Sequence, residues 1–268
     1  MAGVRVTKPL ALVTGASAGI GATFARRLAR EGYGLILVAR RRDRLEALAQ
    51  ELGGAEILPA DLTNETELKL VEDRLAAEPA VDLLVNNAGF GLTGRFFEIP
   101  VESQDLMHRL HVMATLRLTH AAQPGMVKRG QGAIINVSST AGFMSSPGAT
   151  GYCATKAWMT SFTEGLYMEL KSAGSPVKVQ ALCPGFTLSE FHDVMKLDRK
   201  TIPSWMWLRA EDVVEASLDG LRKGKPVVIT GAFYKLVVAL TRLLPPRLFR
   251  AGSIAYARRV KHDRPLKE

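Results

Sequence analysis

The 268-residue sequence has little cysteine, no long apolar run and no low-complexity stretch, and each shortage narrows what it can be. Its two cysteines, Cys153 and Cys183, are too few for a disulfide framework and show no zinc-ligand spacing. A reducing, cytoplasmic setting and no metal site are therefore expected. No stretch approaches the roughly 20 uninterrupted apolar residues needed to span a bilayer. The opening residues lead into no long apolar core with a cleavage site, so no secretion signal is read there. No Pro/Gly/Ser-rich linker divides the chain, and no solenoid-type repeat recurs. What is present is 47% apolar and 23% charged residues, enough for a core and unlike a disordered chain. One large domain is expected at this length.

Acidic residues are scarce in one region. From Leu221 to Glu268, twelve Lys/Arg face only Asp263 and Glu268, an excess above the whole chain's net +9. The preceding residues are close to neutral, so the basicity belongs to the C-terminal end and does not suggest nucleic-acid binding. Within this end, Val227–Leu244 is apolar except where Lys235 and Arg242 interrupt it, seven residues apart and so on one helical face. Two readings fit: an interfacial amphipathic helix meeting anionic lipid as a peripheral membrane contact, or a basic-edged helix packed on the domain or a subunit neighbour.

Short β-rich runs recur with helical patterns between them, at Leu10–Val13, Gly34–Ala39, Ala55–Leu58, Val81–Val85, Ala133–Val137, Val177–Leu182 and Val227–Ile229. Parallel strands covered on both faces read as continuous apolar runs, and Leu35–Val38 does so. The pattern predicts an α/β fold: a doubly wound parallel sheet of Rossmann type with about seven strands, followed by basic amphipathic C-terminal helices.

After the first run comes Thr14-Gly15-Ala16-Ser17-Ala18-Gly19-Ile20-Gly21, then a helical pattern. Glycines at a strand-to-helix turn let the backbone approach a pyrophosphate whose charge sits at the helix N-terminus. The second run ends in Ala39-Arg40-Arg41-Arg42, with no acid to hold a ribose 2′-hydroxyl. Arg40 is therefore assigned to a 2′-phosphate and the cofactor to NADP(H). The alternative, that the cluster merely begins a helix, is disfavoured because cations sit poorly at a helix N-terminus.

Further on, Tyr152 and Lys156 are four apart in a helical segment and share a face. An ammonium near a phenol favours phenolate and lowers its pKa, letting the tyrosine exchange a proton nearer neutrality.

Taken together, Thr14–Gly21, Asn86-Asn87-Ala88-Gly89, Ser138-Ser139, Tyr152/Lys156 and Pro184-Gly185 resemble the short-chain dehydrogenase/reductase family, most of all its ketoacyl-reductase-like bacterial members. The resemblance covers roughly residues 9–230. It implies Tyr152 as general acid, Lys156 on the nicotinamide ribose keeping the tyrosine pKa low, and Ser139 on the developing oxyanion, with Ser138 as the competing serine. It implies cofactor contacts from Thr14, Gly15, Ser17, Gly19, Ile20, Gly21, Asp61, Leu62, Asn87, Ala88, Gly89, Tyr152, Lys156, Pro184, Gly185 and Thr187. On residue chemistry alone, Asp61 also suits a helix N-cap, Asn86 and Asn87 a turn, and Thr187 a cap. Where many members carry a catalytic Asn that anchors a proton-relaying water, this chain has His111. Either His111 takes over that relay, or it is a buried structural residue, or the register is off by a turn and His108 is the counterpart.

The domain division expected is a dinucleotide-binding catalytic domain over 1–244 and a basic extension over 245–268. Phe186, Phe191, Met195, Trp205, Met206 and Trp207 suit either an apolar substrate pocket or the core. The function expected is NADP(H)-dependent hydride transfer to an apolar carbonyl: a ketone, aldehyde or 3-oxoacyl group. The alternative is a dinucleotide-binding regulatory or scaffold protein that has lost turnover. Family resemblance further implies a homodimer or homotetramer.

Overall fold

The computed structural model describes residues 8–191 and 202–259. Met195 and residues 260–268 lie outside the described residues, as does the side chain of Arg242. Seven strands alternate with helices: β1 (Leu10–Thr14), α1 (Gly19–Arg30), β2 (Gly34–Ala39), α2 (Arg42–Glu51), β3 (Glu56–Pro59), α3 (Glu65–Ala76), β4 (Leu83–Asn86), α4 (Val101–His108), α5 (Thr115–Arg129), β5 (Ala133–Val137), α6 (Thr150–Ser172), β6 (Lys178–Cys183), α7 (Ala210–Arg222), β7 (Val227–Ile229), α8 (Ala232–Leu243) and α9 (Pro246–Arg259). All strands are parallel, in the order β3-β2-β1-β4-β5-β6-β7.

Two-residue alternation along each strand builds a core on either side of the sheet. Val13, Leu37, Val85, Ile135 and Leu182 face Phe24 and Leu28 of α1 and Val213 and Leu218 of α7. Leu12, Ile36, Leu84, Ile134 and Val179 face Leu118 and Met126 of α5 and Leu170 of α6. Each fully buried side chain of this size contributes roughly 1.5–3 kcal/mol, which is why the helices are held against the sheet. The strand order reverses between β1 and β4, and ligands of such sheets bind at that switch point, outside the strands' carboxyl ends.

Two local features serve the site. Between α4 and α5 the helix widens into a π-helical turn, Arg109–Ala114, which sequence periodicity does not signal. After β5, Thr140–Phe143 forms a 3₁₀ turn with Ser139 as its N-cap, the Ser139 Oγ accepting from Ala141 N at 3.1 Å.

Candidate active site

The glycine loop is built at the switch point. Gly15 has φ +64°, and an added Cβ there would lie 2.8 Å from Asn87 Nδ2 and 2.9 Å from Ala88 Cα. At Gly21 an added Cβ would meet Gly15 O at 2.3 Å. Only glycine permits this fold-back. Thr14 Oγ1 accepts from Asn87 N at 2.9 Å and Ala88 N at 3.0 Å, while Asn87 Nδ2 donates to Thr14 O at 2.9 Å and Gly15 O at 3.3 Å. The side chains of Thr14 and Asn87 thus hold the loop's shape and leave ligand contact to its backbone. Helix α1 begins at this loop with Ala18 as N-cap, no capping side chain and no acid in its first turn. Open first-turn N–H groups beside a folded-back glycine loop fit a pyrophosphate.

The arginines at the end of β2 divide their work. Arg41 donates to Ser17 Oγ from Nη2 at 3.0 Å and to Glu190 Oε2 from Nη1 at 2.9 Å, and Arg44 pairs with the other oxygen of Glu190. These hydrogen bonds from Arg44 and Arg41 hold the Glu190 carboxyl below the usual carboxylate range. Arg40, 78% exposed, approaches Asp61 Oδ2 at 4.0 Å. Asp61 is not a helix N-cap: its Oδ1 accepts from Thr63 N and Oγ1 at 2.9 and 2.8 Å, while Asn64 caps α3. Leu62 has its side chain in the core, which leaves only its backbone for a ligand. An added Cβ at Gly19 would touch Ser189 Cβ at 2.9 Å, so the segment after β6 closes directly over the glycine loop. A cleft of about 500 Å³ opens at this rim between Ser17, Gly19, Arg44, Ser189 and Arg209. Sequence reasoning missed Arg41 and Glu190, because their meeting joins positions 149 residues apart.

Tyr152 and Lys156 lie in the first two turns of α6, as their spacing predicts. The positive end of the helix dipole faces the tyrosine. The 3₁₀ turn packs so tightly on α6 that a Cβ at Gly142 would lie 2.7 Å from Lys156 O, and this approach brings Ser139 to Tyr152. Burial pushes the Tyr152 phenol up to about 12, while hydrogen bonding with Ser139 pulls the other way. The expected lowering of this pKa by Lys156 is not found: burial brings the lysine itself down to about 7. Lys156 Nζ sits 5.8 Å from the Tyr152 ring centre and donates to Val137 O at 2.8 Å. Ser138, the competing serine, is buried, with its Oγ bonded to Lys156 O at 2.7 Å and Thr160 Oγ1 at 2.8 Å.

Desolvation of Lys156 has a consequence for stability. With the folded pKa near 7 and the ordinary value at 10.5, the unfolded chain binds the extra proton between those limits, so stability rises with pH across that window. Lys156→Met is therefore expected to stabilise the cofactor-free chain at pH 7 by roughly 2–4 kcal/mol, net of the lost hydrogen bond. The gain should shrink towards zero as the pH approaches 10, which denaturant melts at several pH values would measure.

His111, in the π-helical turn, is fully buried, whereas His108 is exposed. His111 Nε2 accepts from Phe90 N at 3.1 Å, and Nδ1 lies 2.9 Å from Thr155 Oγ1, which itself donates to Tyr152 O at 3.0 Å. The set is self-consistent only with a neutral ring protonated at Nδ1. Burial first, then the charges of Lys156 and His108, hold its pKa well below the ordinary value. The ring packs edge-on against Tyr152 at 5.9 Å and closes onto Gly89, where an added Cβ would lie 2.7 Å from Nε2. The folded state resists protonation, so stability is expected to fall as pH drops below about 6.5, where the unfolded histidine takes up a proton. His111→Gln should flatten that acid slope, and thermal melts between pH 5 and 7 test it.

The segment after β6 completes the site. The Thr187 hydroxyl donates to Gly185 O at 3.0 Å, and its backbone bridges to Leu208. Pro184 O accepts from Thr140 N at 3.0 Å, joining this segment to the 3₁₀ turn. Tyr234 of α8, unforeseen from sequence, accepts from Phe186 N at 3.1 Å, donates to Met206 O at 2.7 Å and presses its ring where a Gly185 Cβ would stand, 2.2 Å away. Phe191 lies 6.0 Å from the Tyr152 ring, and Phe186 lies 5.6 Å from Trp207. Phe186, Phe191, Met206 and Trp207 are half-buried and Trp205 is exposed, so the core reading of these aromatics fails.

A family model described as short chain dehydrogenase matches residues 9–200. Nodulation protein G of Rhizobium meliloti (strain 1021) is 39% identical over 198 residues, covering 73% of this chain and 79% of that protein. A solved short-chain dehydrogenase from Sphingobium yanoikuyae in complex with NADPH is 35% identical, covers 97% of this chain and 98% of its own, and superposes with a TM-score of 0.78. The bulky-bulky ketone specific alcohol dehydrogenase from Comamonas testosteroni is 31% identical, with 97% and 96% coverage and a TM-score of 0.74.

Proposed function

This chain belongs to the short-chain dehydrogenase/reductase family and is an oxidoreductase, and on that premise we propose that it uses NADPH to reduce an apolar ketone, aldehyde or 3-oxoacyl group. The observation that carries the reading is the meeting of Tyr152, Ser139 and Lys156 beside a glycine loop fit for a pyrophosphate.

Thr14–Gly21 would hold the pyrophosphate through backbone N–H groups, with Ser17, Arg40 and Arg41 at the 2′-phosphate and Asp61 and Leu62 beside the adenine. Asn87–Gly89 support the adenosine ribose side, and Pro184, Gly185 and Thr187 line the nicotinamide side. When bound, the nicotinamide supplies the hydride. The Ser139 hydroxyl orients the carbonyl oxygen, and Tyr152 donates its proton to that oxygen as charge develops there. A phenol with a pKa near 12 is protonated throughout the neutral range, which suits an acid and the reductive direction. Lys156, behind the ring, favours the phenolate left after proton transfer whenever it carries its charge. His111 acts here as a positioning residue, tying Phe90 and Thr155 together behind Tyr152.

Phe186, Phe191 and Trp207 supply an apolar wall, and the ketone named for the Comamonas enzyme supports a bulky substrate. NADPH in the Sphingobium structure supports the cofactor choice made on the arginines. A cytoplasmic location and a homodimer or homotetramer complete the reading, the oligomer supported by Leu106, Met113 and Leu116, exposed along α4, the π-helical turn and α5. NADPH oxidation would be followed against carbonyls graded by chain length, 3-oxoacyl thioesters and ketosteroids included, with Tyr152→Phe as blank. Turnover rising with apolar size supports the reductase. Silence across the panel with NADPH tightly bound supports a dinucleotide-binding protein without turnover.

A further inference from the structure

Helix α8 is apolar on two opposite sides. Tyr234 and Val238 face inward and are buried. Leu236, Leu240 and Leu243 repeat at the same helical spacing on the outer side, 58%, 44% and 79% exposed. A helix apolar on two sides is normally covered on both, yet among the described residues it is the inner side of α8 that meets the domain. The outer row continues past Leu244 to Leu248 at the start of α9, both exposed.

The surroundings indicate what covers this face. Between Asp219 and Asp263 the sequence contains no acidic residue, and Lys235, Arg247, Arg250 and Arg258 stand exposed among the apolar side chains. A second copy of the same surface would bring cations against cations. An apolar row set among lysines and arginines instead matches a bilayer with anionic headgroups. No helix among the described residues is long and apolar enough to cross a membrane.

We infer that the outer face of α8 and the start of α9 dock on an anionic lipid surface. The row begins at Phe233, whose ring meets exposed Trp205 at 4.8 Å, and Trp205 adjoins Met206 and Trp207 of the candidate substrate wall. Docking would set the mouth of the site against the bilayer, where apolar carbonyls concentrate. That use of the surface rests on the reductase reading, whereas the docking does not.

The test is co-sedimentation of the full chain with vesicles of phosphatidylcholine alone or mixed equally with phosphatidylglycerol, at low and high salt. Binding to the anionic vesicles at least tenfold above the neutral ones, weakened by salt, is expected. Leu236→Asp with Leu240→Asp should lower that binding at least tenfold, and Lys235→Glu with Arg250→Glu should remove the preference for anionic lipid. NADPH binding and turnover of a short water-soluble ketone report folding and the reductase reading separately, and both should be unchanged in these variants. Equal partition to both vesicle types, or undiminished binding by the aspartate pair, overturns docking. So does a change of oligomeric state in the aspartate pair when the wild type binds no vesicles, which would make this face a contact between copies.

Discussion

Tyr152→Phe is expected to lower kcat/KM for carbonyl reduction by at least about a thousandfold, within the range found for loss of a positioned general acid. The substitution removes one oxygen and keeps the ring, so its edge-on contact with His111 at 5.9 Å and its packing against Phe191 at 6.0 Å persist. NADPH affinity should change by less than about threefold, because the cradle at Thr14–Gly21 is built from other elements. The split between binding and turnover is the informative part: a residue that only shaped the fold would move both. Wild-type reduction should stay level from pH 6 to 8 with respect to this group, since burial holds the phenol at about 12. The reverse oxidation needs the phenolate and should rise with pH through that range. Steady-state rates in both directions, with cofactor affinity measured by fluorescence titration, check the whole set.

Arg41→Ala is expected to weaken NADPH binding by about tenfold to a hundredfold and NADH binding by less than about threefold, the loss of a charge-assisted contact to phosphate being roughly 1.5–3 kcal/mol. Arg41 is bonded to Ser17 on the glycine loop and to Glu190 on the segment after β6, so a 2′-phosphate arriving between Ser17 and Arg41 meets the Glu190 carboxylate already there. Glu190→Gln removes that competing charge and should tighten NADPH several-fold with little effect on NADH. Arg40→Ala should also favour NADH over NADPH, by a smaller factor, because its guanidinium is largely exposed and stands 4.0 Å from Asp61. Isothermal titration of each variant with both cofactors separates these outcomes, and equal losses for NADPH and NADH in both arginine variants would sink the 2′-phosphate assignment.

Much of this was legible in the residues. The seven strands were placed within a residue or two of their positions, since strands buried on both faces must be continuous apolar runs and little else in the chain has that form. Gly34–Ala39, Ala133–Val137 and Val227–Ile229 coincide with their expected bounds. The glycine loop and the Tyr152/Lys156 pair were legible for a related reason: each is local, its geometry set by one turn or one helix. The basic, largely apolar C-terminal helix also declared itself in sequence, because charge and periodicity are properties of a segment; that both of its sides carry apolar residues, one buried and one exposed, only the fold shows.

Side-chain contacts that join distant segments were decided by tertiary structure alone. Sequence could not tell whether His111 relayed protons or filled space, nor that the fold would bury its neutral ring against Phe90, Thr155 and Tyr152 in a π-helical turn. Nor could it tell that Asn87 would hold the glycine loop, that Tyr234 would pin the segment after β6, or that Arg41 would reach Ser17. The pKa values of Tyr152 and Lys156 fall in the same class: four-residue spacing predicts mutual attraction, whereas the fold decides how much water each group loses, and that loss moves the phenol up and the lysine down. Local pattern determines which residues share a turn or a face; desolvation and contacts across the sheet exist only once the chain has folded.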